Sequence, residues 1–216
     1  MQKEITVGFL TADSVDNEKT DALSDVDVAA FSVKELSLVK VKSELDGSSD
    51  AFLKMGRISE RIKGLCAFSV LTDTFGVFRK TVACFYKGRL EFLADENTPD
   101  GRFSPAFGLK TLSVCSVKYG VLVGNDLLDT DRVKALALTE TDMIINLSAD
   151  FYGYDHEKLV SALAFLNGIP ILSVSHSKKA IALSGGELAY CGKDGFLKKK
   201  IILKKRFKER TQKILF

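Results

Sequence analysis

Polar side chains follow two of the apolar, strand-like runs in this sequence. Asn125 and Asp126 come directly after "VLVG", and Ser148 and Asp150 end the run "DMIINLSAD". Ligands of α/β proteins collect outside the carboxyl ends of strands, so this placement predicts a small-molecule pocket. Its predicted lining is Gly124, Asn125, Asp126, Asn146, Ser148, Asp150 and Tyr152. In the plainer alternative, the two aspartates only cap loops and helix starts.

The cysteines and histidines do not have the spacing of a metal site. The four cysteines are widely separated, and no CxxC occurs. They are Cys66, Cys84, Cys115 and Cys191. Each lies in or beside an apolar run, which predicts buried, reduced thiols and a cytoplasmic location. His156 is expected to be exposed in the first turn of a helix and His176 in a loop. We therefore predict no metal and no cofactor.

Predicted strands alternate with predicted helices along the chain. Apolar runs at 5–11, 26–33 and 66–73 indicate strands, and apolar residues at 52, 55, 58 and 62 have helical spacing. The order strand, helix, strand predicts parallel pairing through a crossover. The second half repeats this order, with one helix beginning near Asp129 and another between Asp155 and Gly168.

Hairpins are inserted into this alternation. Lys87 and Gly88 are flanked by alternating runs, which predicts an antiparallel hairpin. Further hairpins are predicted with turns near 118–120 and around "GKDG", and 93–108 is expected to be one long surface loop. Helices alternating with strands, together with hairpins, predict an α/β protein with mixed sheets.

The order of these elements resembles the carbon–nitrogen hydrolase family, also called the nitrilase family. In that family a strand reading G-V-x-I-C-x-D precedes a helix and then a strand reading A-D-x-I-x-N-P-S-A. This chain has "YGVLVGND" and then "DRVKALALTETDMIINLSAD". Its "AFLNGIPILSVS" and "KTVACFYKGRLEFLADE" also look like family segments. The resemblance covers nearly the whole chain and implies an α-β-β-α sandwich with two mixed sheets.

The resemblance implies a catalytic cysteine, glutamate and lysine, and this chain departs from the pattern at all three positions. In the family a cysteine thiolate attacks an amide or nitrile carbon, a glutamate moves the proton, and a lysine stabilises the oxyanion. The corresponding residues here are Gly124, Val33 and Glu96. We therefore expect no catalytic residue and no activity of the family's kind.

Two substitutes for the missing groups stay open. Glu35 follows Val33 by two residues and would point the same way if the strand continued. Lys80 lies in "FRKT", which looks like the family's "YRKT", although it precedes the hairpin rather than ending it. Neither replaces the nucleophile, and Cys115 would have to reach the pocket from the preceding run.

Charge is distributed unevenly along the 216 residues. The net charge is +3, but the last nineteen residues hold nine Lys/Arg and one Glu, so the remaining chain carries −5. We predict one domain over 1–203 and a basic C-terminal extension over 204–216. An acidic body and a basic extension favour a homodimer, since family members often lay such an extension across a partner. Contact of the extension with nucleic acid or an anionic membrane is the less favoured alternative.

These features together predict a nitrilase-like protein without the catalytic triad, acting in binding or assembly. Its expected partners are a second copy of the chain and a small-molecule ligand. Two alternatives remain at this stage. The first is an active carbon–nitrogen hydrolase of amides or nitriles with a rearranged site. The second is a protein that binds nucleic acid or anionic membranes through its basic extension.

Overall fold

A computed structural model gives the fold of residues 3–99, 101–148 and 155–203. The strands are β1 (Lys3–Ala12), β2 (Val28–Val33), β3 (Leu38–Lys40), β4 (Leu65–Thr74), β5 (Val77–Tyr86), β6 (Arg89–Asp95), β7 (Lys110–Val114), β8 (Val117–Val123), β9 (Met143–Leu147), β10 (Ile171–Val174), β11 (Lys179–Ala182), β12 (Leu188–Gly192) and β13 (Phe196–Leu203). The α-helices are α1 (Asn17–Ala22), α2 (Val41–Leu45), α3 (Ala51–Glu60), α4 (Thr130–Leu138) and α5 (His156–Asn167). Two 3₁₀ turns, Lys34–Leu36 and Gly124–Leu128, follow β2 and β8. The predicted basic extension, 204–216, lies outside the described residues, and its role stays a prediction.

The strands form two mixed sheets. The first has the order β13-β1-β2-β4-β5-β6, with β3 also paired to β4, and the second has the order β12-β11-β10-β9-β8-β7. Strands β1, β2 and β4 are parallel, as are β8, β9 and β10, which confirms the predicted crossovers. Antiparallel strands extend both parallel groups. The predicted α/β class with mixed sheets is therefore confirmed.

Three apolar clusters hold the layers together. The central cluster lies between the sheets and includes Phe9 from β1 and Tyr119 from β8. A second cluster packs Met55 of α3 against the outer face of the first sheet, and a third packs Leu136 of α4 against the second sheet. Side chains alternate along each strand, so β8 directs Val121 inward and its neighbour into the outer cluster. The layer order is helix, sheet, sheet, helix, as predicted.

The hairpin turns were predicted with mixed success. Lys87 and Gly88 have φ of 48° and 81° and join β5 to β6 as predicted. The β7–β8 turn was placed wrongly, because it is formed by Cys115 and Ser116, with φ of 50° and 64°. Gly120 lies inside β8, where a Cβ would be 3.0 Å from Leu136 of α4. This glycine allows close helix packing and does not form the turn.

The prediction of a closing hairpin around "GKDG" was wrong. β12 pairs with β11 in the second sheet, whereas β13 pairs with β1 in the first sheet. The chain crosses between the sheets at Gly195, whose carbonyl accepts a hydrogen bond from the Thr11 N–H (2.7 Å). β12 extends the second sheet and β13 extends the first. A hairpin between them would leave the edge of one sheet without a partner strand, and the unpaired backbone N–H and C=O groups of an open edge are unfavourable. Turn residues indicate a reversal but not the edge that receives the next strand.

The segment predicted as one long surface loop is partly built into the core. β6 continues to Asp95, and Glu96, the next residue, is only 1% exposed. The loop that follows is attached to β5 and β6, because Ser104 N–H donates to the Phe78 carbonyl and Ala106 N–H to the Glu96 carbonyl. The end of β6 lies next to the end of β8, because the Asn125 N–H donates to the Glu96 carboxylate.

Candidate functional site

The second sheet forms a strand–turn junction where the sequence predicted one. β8 ends at Val123, and Gly124 begins the 3₁₀ turn with φ +55°, a left-handed conformation that favours glycine. β9 runs parallel to β8 and ends beside it, since Val123 pairs with Leu147. The carboxyl ends of two parallel strands therefore meet at one edge of the sheet.

A cavity of about 290 Å³ opens between the two sheets at this edge. Strands β2, β4 and β5 line it from the first sheet, and the ends of β8 and β9 line it from the second. Gly124 and Ser148 lie on its wall, as does His176 from the loop after β10. Of the seven residues predicted to line a pocket, the described wall includes Gly124 and Ser148, and most of the wall comes from strands that the sequence prediction did not include.

Glu96 fills the space next to Gly124. A Cβ built on Gly124 would overlap the Oε1 atom of Glu96 and would lie 3.0 Å from its carboxyl carbon. Oε1 also accepts a hydrogen bond from the Asn125 N–H (2.7 Å). The carboxylate is therefore fixed against the turn, where a side chain at position 124 would otherwise project.

Lys80 pairs with this buried carboxylate. Its Nζ lies 3.3 Å from Oε2 of Glu96 and 4.9 Å from the ring centre of Phe103. The strands hold the pair in register, because the Glu96 N–H donates to the Lys80 carbonyl (2.9 Å). Burial raises the pKa of Glu96, while the hydrogen bond from Asn125 and the charge of Lys80 act in the opposite direction. Lys80, unlike Glu96, lies on the cavity wall.

Comparison with solved structures identifies the architecture. A carbon–nitrogen hydrolase from Helicobacter pylori G27 superimposes with a TM-score of 0.73 at 11% identity, covering 98% of this chain and 93% of its own. Nit3 of Saccharomyces cerevisiae, a member of branch 10 of the nitrilase superfamily, gives 0.71 at 11% identity, with 98% and 94% covered.

The chain has the nitrilase fold. A third structure of this fold, the CN-hydrolase superfamily protein XC1258 from Xanthomonas campestris, gives a TM-score of 0.72 at 9% identity, covering 99% of this chain and 95% of its own. In sequence, no protein-family model and no curated protein matches the chain. The resemblance found in the sequence motifs is thus confirmed at the level of the fold.

The three positions that the sequence resemblance assigned to the triad lie on or next to the cavity wall. Val33 ends β2 and lies on the cavity wall, where it is 3% exposed. Gly124 lies on the opposite side of the cavity, and Glu96 lies behind Gly124. The alternative glutamate, Glu35, does not line the cavity. The strand ends at Val33, and Glu35 instead accepts a hydrogen bond from the Val15 N–H (3.3 Å). The alternative lysine, Lys80, does lie on the wall.

None of the four cysteines is among the described lining residues of the cavity. Cys66 and Cys84 are buried in the sheet, where burial raises the pKa of both thiols. Cys115 and Cys191 are exposed, contrary to the expectation that all four are buried. Cys115 lies in the β7–β8 turn, at the opposite end of β8 from Gly124. No thiol in the described chain is therefore placed to act as a nucleophile here.

The residues predicted to line the pocket have different roles. Asn125 contributes its backbone N–H to Glu96, and its side chain is not on the wall. Asp126 is fully buried and accepts hydrogen bonds from the backbone N–H groups of Asn97 (2.9 Å) and Thr98 (3.1 Å). It therefore holds the loop after β6, in agreement with the plainer alternative. Asp150 and Tyr152 lie outside the described residues.

A buried polar cluster lies between β9, β10 and the start of α5. Asn146 donates from its amide to Ser173 Oγ (3.2 Å), and His156 Nε2 lies 2.9 Å from the same oxygen. Asn146 is not on the cavity wall. The expectation that His156 is exposed was wrong, because it is 1% exposed and burial lowers its pKa to about 4. The first turn of α5 is oriented so that His156, its first residue, faces the sheet.

Lys179 fixes the loop that brings His176 to the cavity. Its side chain is buried, and its Nζ donates to the carbonyls of His176 (2.8 Å) and Lys193 (3.2 Å). Burial lowers the pKa of this lysine. Sequence reasoning missed the contributions of Lys179 and of the hydroxyl residues on β2 and β4, because strand alternation alone does not show which face meets the other sheet.

The described chain contains no cluster of three or more His, Cys, Asp or Glu side chains that could hold a metal ion. Among the helices of 3–99, 101–148 and 155–203, none is long and apolar enough to cross a membrane. The polar side chains among the described lining residues of the cavity are hydroxyls, a histidine and lysines.

Proposed function

We propose that this nitrilase-fold chain is a pseudoenzyme that binds a small molecule in the cavity beside Gly124. One observation carries the proposal: the Glu96 carboxylate fills the space where a nucleophilic side chain at position 124 would lie. The cavity itself remains open at about 290 Å³. A site with room for a ligand but without a nucleophile supports binding and not thiol-dependent hydrolysis.

The other two triad positions support the same proposal. Val33 has no group that can accept or deliver a proton. At the lysine position the charge is reversed by Glu96, and the nearby Lys80 ammonium is paired with that carboxylate at 3.3 Å. Pairing with a carboxylate reduces the stabilisation that the lysine could give to a developing oxyanion. Nucleophilic attack, proton transfer and oxyanion stabilisation, the three steps of the family's chemistry, are thus all impaired.

Hydrolysis assays test the proposal. We expect no turnover of a panel of amides, nitriles and N-carbamoyl compounds by the full-length protein. Lys80→Met and Cys115→Ala variants identify the source of any activity that appears. Turnover that survives Cys115→Ala and is lost in Lys80→Met would overturn the proposal in favour of a hydrolase with a rearranged site.

We also propose that the chain forms a homodimer. Leu138 at the end of α4 is 62% exposed, and Phe165 and Leu166 near the end of α5 are 55% and 68% exposed. The two helices follow neighbouring parallel strands, so their carboxyl ends lie at the same end of the layer. Clustered exposed apolar side chains favour a protein interface.

Light scattering coupled to size-exclusion chromatography tests this assembly. We expect the mass of two chains for the wild type and of one chain for Leu166→Lys. Leu45→Lys is the control, because Leu45 is also exposed (77%) but lies on α2, over the other sheet. A wild-type protein that elutes with the mass of one chain at all concentrations would refute the dimer.

A further inference from the structure

We infer that a second pocket, formed where the edge strands of the two sheets meet, binds a free α-amino acid with an aliphatic side chain. This edge pocket has a volume of about 330 Å³, and its described wall consists of residues 183–185, 187, 189 and 199–202. None of these residues lines the cavity beside Gly124, so the inference is independent of the proposed function. It follows from two opposite charges, a buried hydroxyl and an apolar wall in one small pocket.

The edge pocket lies between the sheets, at the end of the fold opposite to the cavity. β12 is the edge strand of the second sheet and β13 that of the first. Ile201 of β13 pairs with Ile5 near the start of β1, whereas the cavity lies at the carboxyl ends of the parallel strands. Beside the pocket, Lys199 of β13 donates from Nζ to the Ala189 carbonyl of β12 (2.5 Å). This hydrogen bond joins the two edge strands.

The loop between β11 and β12 gives the pocket one fixed side. Within it, the Gly186 N–H donates to the Leu183 carbonyl and the Leu183 N–H to the Glu187 carbonyl (both 2.8 Å). The Ser161 hydroxyl of α5 donates to the Gly186 carbonyl (2.5 Å) and so attaches the loop to the helix. A loop that is held in place before a ligand arrives loses little conformational entropy on binding, which favours affinity.

The edge pocket has donors for a carboxylate. Ser184 is only 4% exposed and lies on the wall, and its hydroxyl has no hydrogen-bond partner among the described residues. Buried polar groups of proteins are nearly always hydrogen-bonded, so a ligand is the expected partner here. Lys199 on the same wall makes one hydrogen bond within the described chain, to Ala189, although its ammonium has three donors. A hydroxyl and an ammonium together suit the two oxygens of a carboxylate.

An acidic side chain lies on the same wall. Glu187 is exposed to solvent and forms no ion pair with any residue that the structure describes, Lys199 included. Its carboxylate can therefore accept hydrogen bonds from a ligand ammonium. Lys200, the other charged residue of the wall, is 73% exposed and already paired with Glu4 (3.1 Å). A wall with one available cation and one available anion matches a zwitterion better than a ligand with a single charge.

The remaining wall is aliphatic. Leu183 and Ala189 pack against the central cluster, and Ile201 belongs to it. Ile202 is 45% exposed at the rim. Pockets for drug-sized ligands typically have about 300–1,000 Å³, so the edge pocket is near the lower limit. Size, charges and the apolar wall together favour a single aliphatic amino acid, such as leucine, over a peptide or a nucleotide.

Calorimetric titration of the full-length protein with L-leucine tests the inference. Three further probes each lack one part of this ligand: 4-methylpentanoate lacks the ammonium, 3-methylbutylamine lacks the carboxylate, and glycine lacks the aliphatic side chain. We expect leucine to bind at least about tenfold more tightly than the first two, as the loss of one charge-assisted hydrogen bond implies. Glycine should also bind at least about tenfold more weakly than leucine, because it leaves the aliphatic wall without a partner.

Single substitutions on the wall assign the two charges. Glu187→Gln should weaken leucine binding by about tenfold and leave the binding of 4-methylpentanoate unchanged, because that probe has no ammonium. Lys199→Met should weaken the binding of both and leave that of 3-methylbutylamine unchanged. Ser184→Ala should weaken leucine binding by about threefold. Lys193→Met and Glu157→Gln, at exposed positions off the described wall, are the matched controls and should bind leucine like the wild type.

The unfolding temperature of each variant verifies that it is folded. Glu187→Gln tests the site even if Lys199→Met, which loses the hydrogen bond to β12, is unstable. Equal binding of leucine and 4-methylpentanoate, or leucine binding that neither Glu187→Gln nor Lys199→Met weakens, overturns the inference. So does the absence of leucine binding at millimolar concentration. None of these results bears on the proposed function, which the hydrolysis assays test.

Discussion

The Glu96 carboxylate and the missing side chain of Gly124 occupy the same place. A Cβ on Gly124 would overlap Glu96 Oε1, and the same oxygen is held by the Asn125 N–H at 2.7 Å. The two positions are therefore physically coupled, although they are 28 positions apart in the sequence. Placing any side chain at position 124 would therefore require a change at Glu96 as well.

Gly124→Cys is expected to destabilise the protein and to create no hydrolase. The φ of +55° is strained for a residue with a side chain, and the new Cβ must displace Glu96. We expect the free energy of unfolding to fall by about 1–3 kcal/mol, measured by urea denaturation. Amide hydrolysis should stay at the background rate.

Two controls separate the overlap from a general effect of replacing glycine. Gly101→Ala should leave stability unchanged, because a Cβ there meets no atom within 4 Å. In a double-mutant cycle, Gly124→Ala should cost less in a Glu96→Ala background than in the wild type, since the overlapping carboxylate is gone. Strictly additive effects of the two substitutions would contradict the coupling.

Asp126→Ala is expected to release the loop that follows β6. The carboxylate is fully buried and accepts the backbone N–H groups of Asn97 and Thr98, so its loss removes the acceptor of both groups. We expect a loss of about 3 kcal/mol in urea denaturation and faster tryptic cleavage after Arg102. Asp131→Ala on the exposed first turn of α4 is the control. Unchanged cleavage after Arg102 in Asp126→Ala would argue against this role.

Local signals in the sequence were sufficient for the elements and for the fold. The Lys87–Gly88 turn, the Asp155 cap and the left-handed Gly168 each act within a few residues, and all three are found as predicted. The order of strands and helices then restricts the topology, because crossovers between parallel strands have few arrangements. The family motifs pointed to the same architecture.

The roles of individual polar residues depend on tertiary packing and could not be predicted in the same way. Asp126 lies within the 3₁₀ turn after β8 and His156 begins α5, where polar residues are usually exposed, yet each is buried by a neighbouring segment distant in sequence. The hairpin alignment assigned the lysine position to Glu96, but no local pattern shows that its side chain reaches Gly124. The pairing with Lys80 follows from the strand register, which only the three-dimensional structure contains.

Thiol labelling is expected to divide the four cysteines into two pairs. Cys115 and Cys191 are exposed, whereas Cys66 and Cys84 are buried with a raised thiol pKa. Mass spectrometry after iodoacetamide treatment should therefore find two adducts in the native protein and four in urea. Equal labelling of all four cysteines in the native protein would contradict this division.

Acid is expected to destabilise the protein partly through His156. Burial lowers the pKa of this imidazole from 6.5 to about 4, so between these pH values the unfolded chain binds a proton that the folded chain does not. The stabilisation of the neutral form is fully present above pH 6.5 and is lost as the pH falls towards 4. We expect this to lower the free energy of unfolding by about 2–3 kcal/mol.

Urea denaturation at several pH values, with variants of the two histidines, measures this contribution. His156→Gln should reduce the loss of stability between pH 6.5 and 4, even if it is less stable than the wild type at pH 7. His176→Gln removes the other, exposed histidine of the chain and should keep the wild-type pH dependence. Because His156 lies 2.9 Å from Ser173 Oγ, the Ser173→Ala variant should retain the steep dependence, since burial and not this hydrogen bond lowers the pKa. A wild-type slope in His156→Gln would show that other groups cause the acid sensitivity.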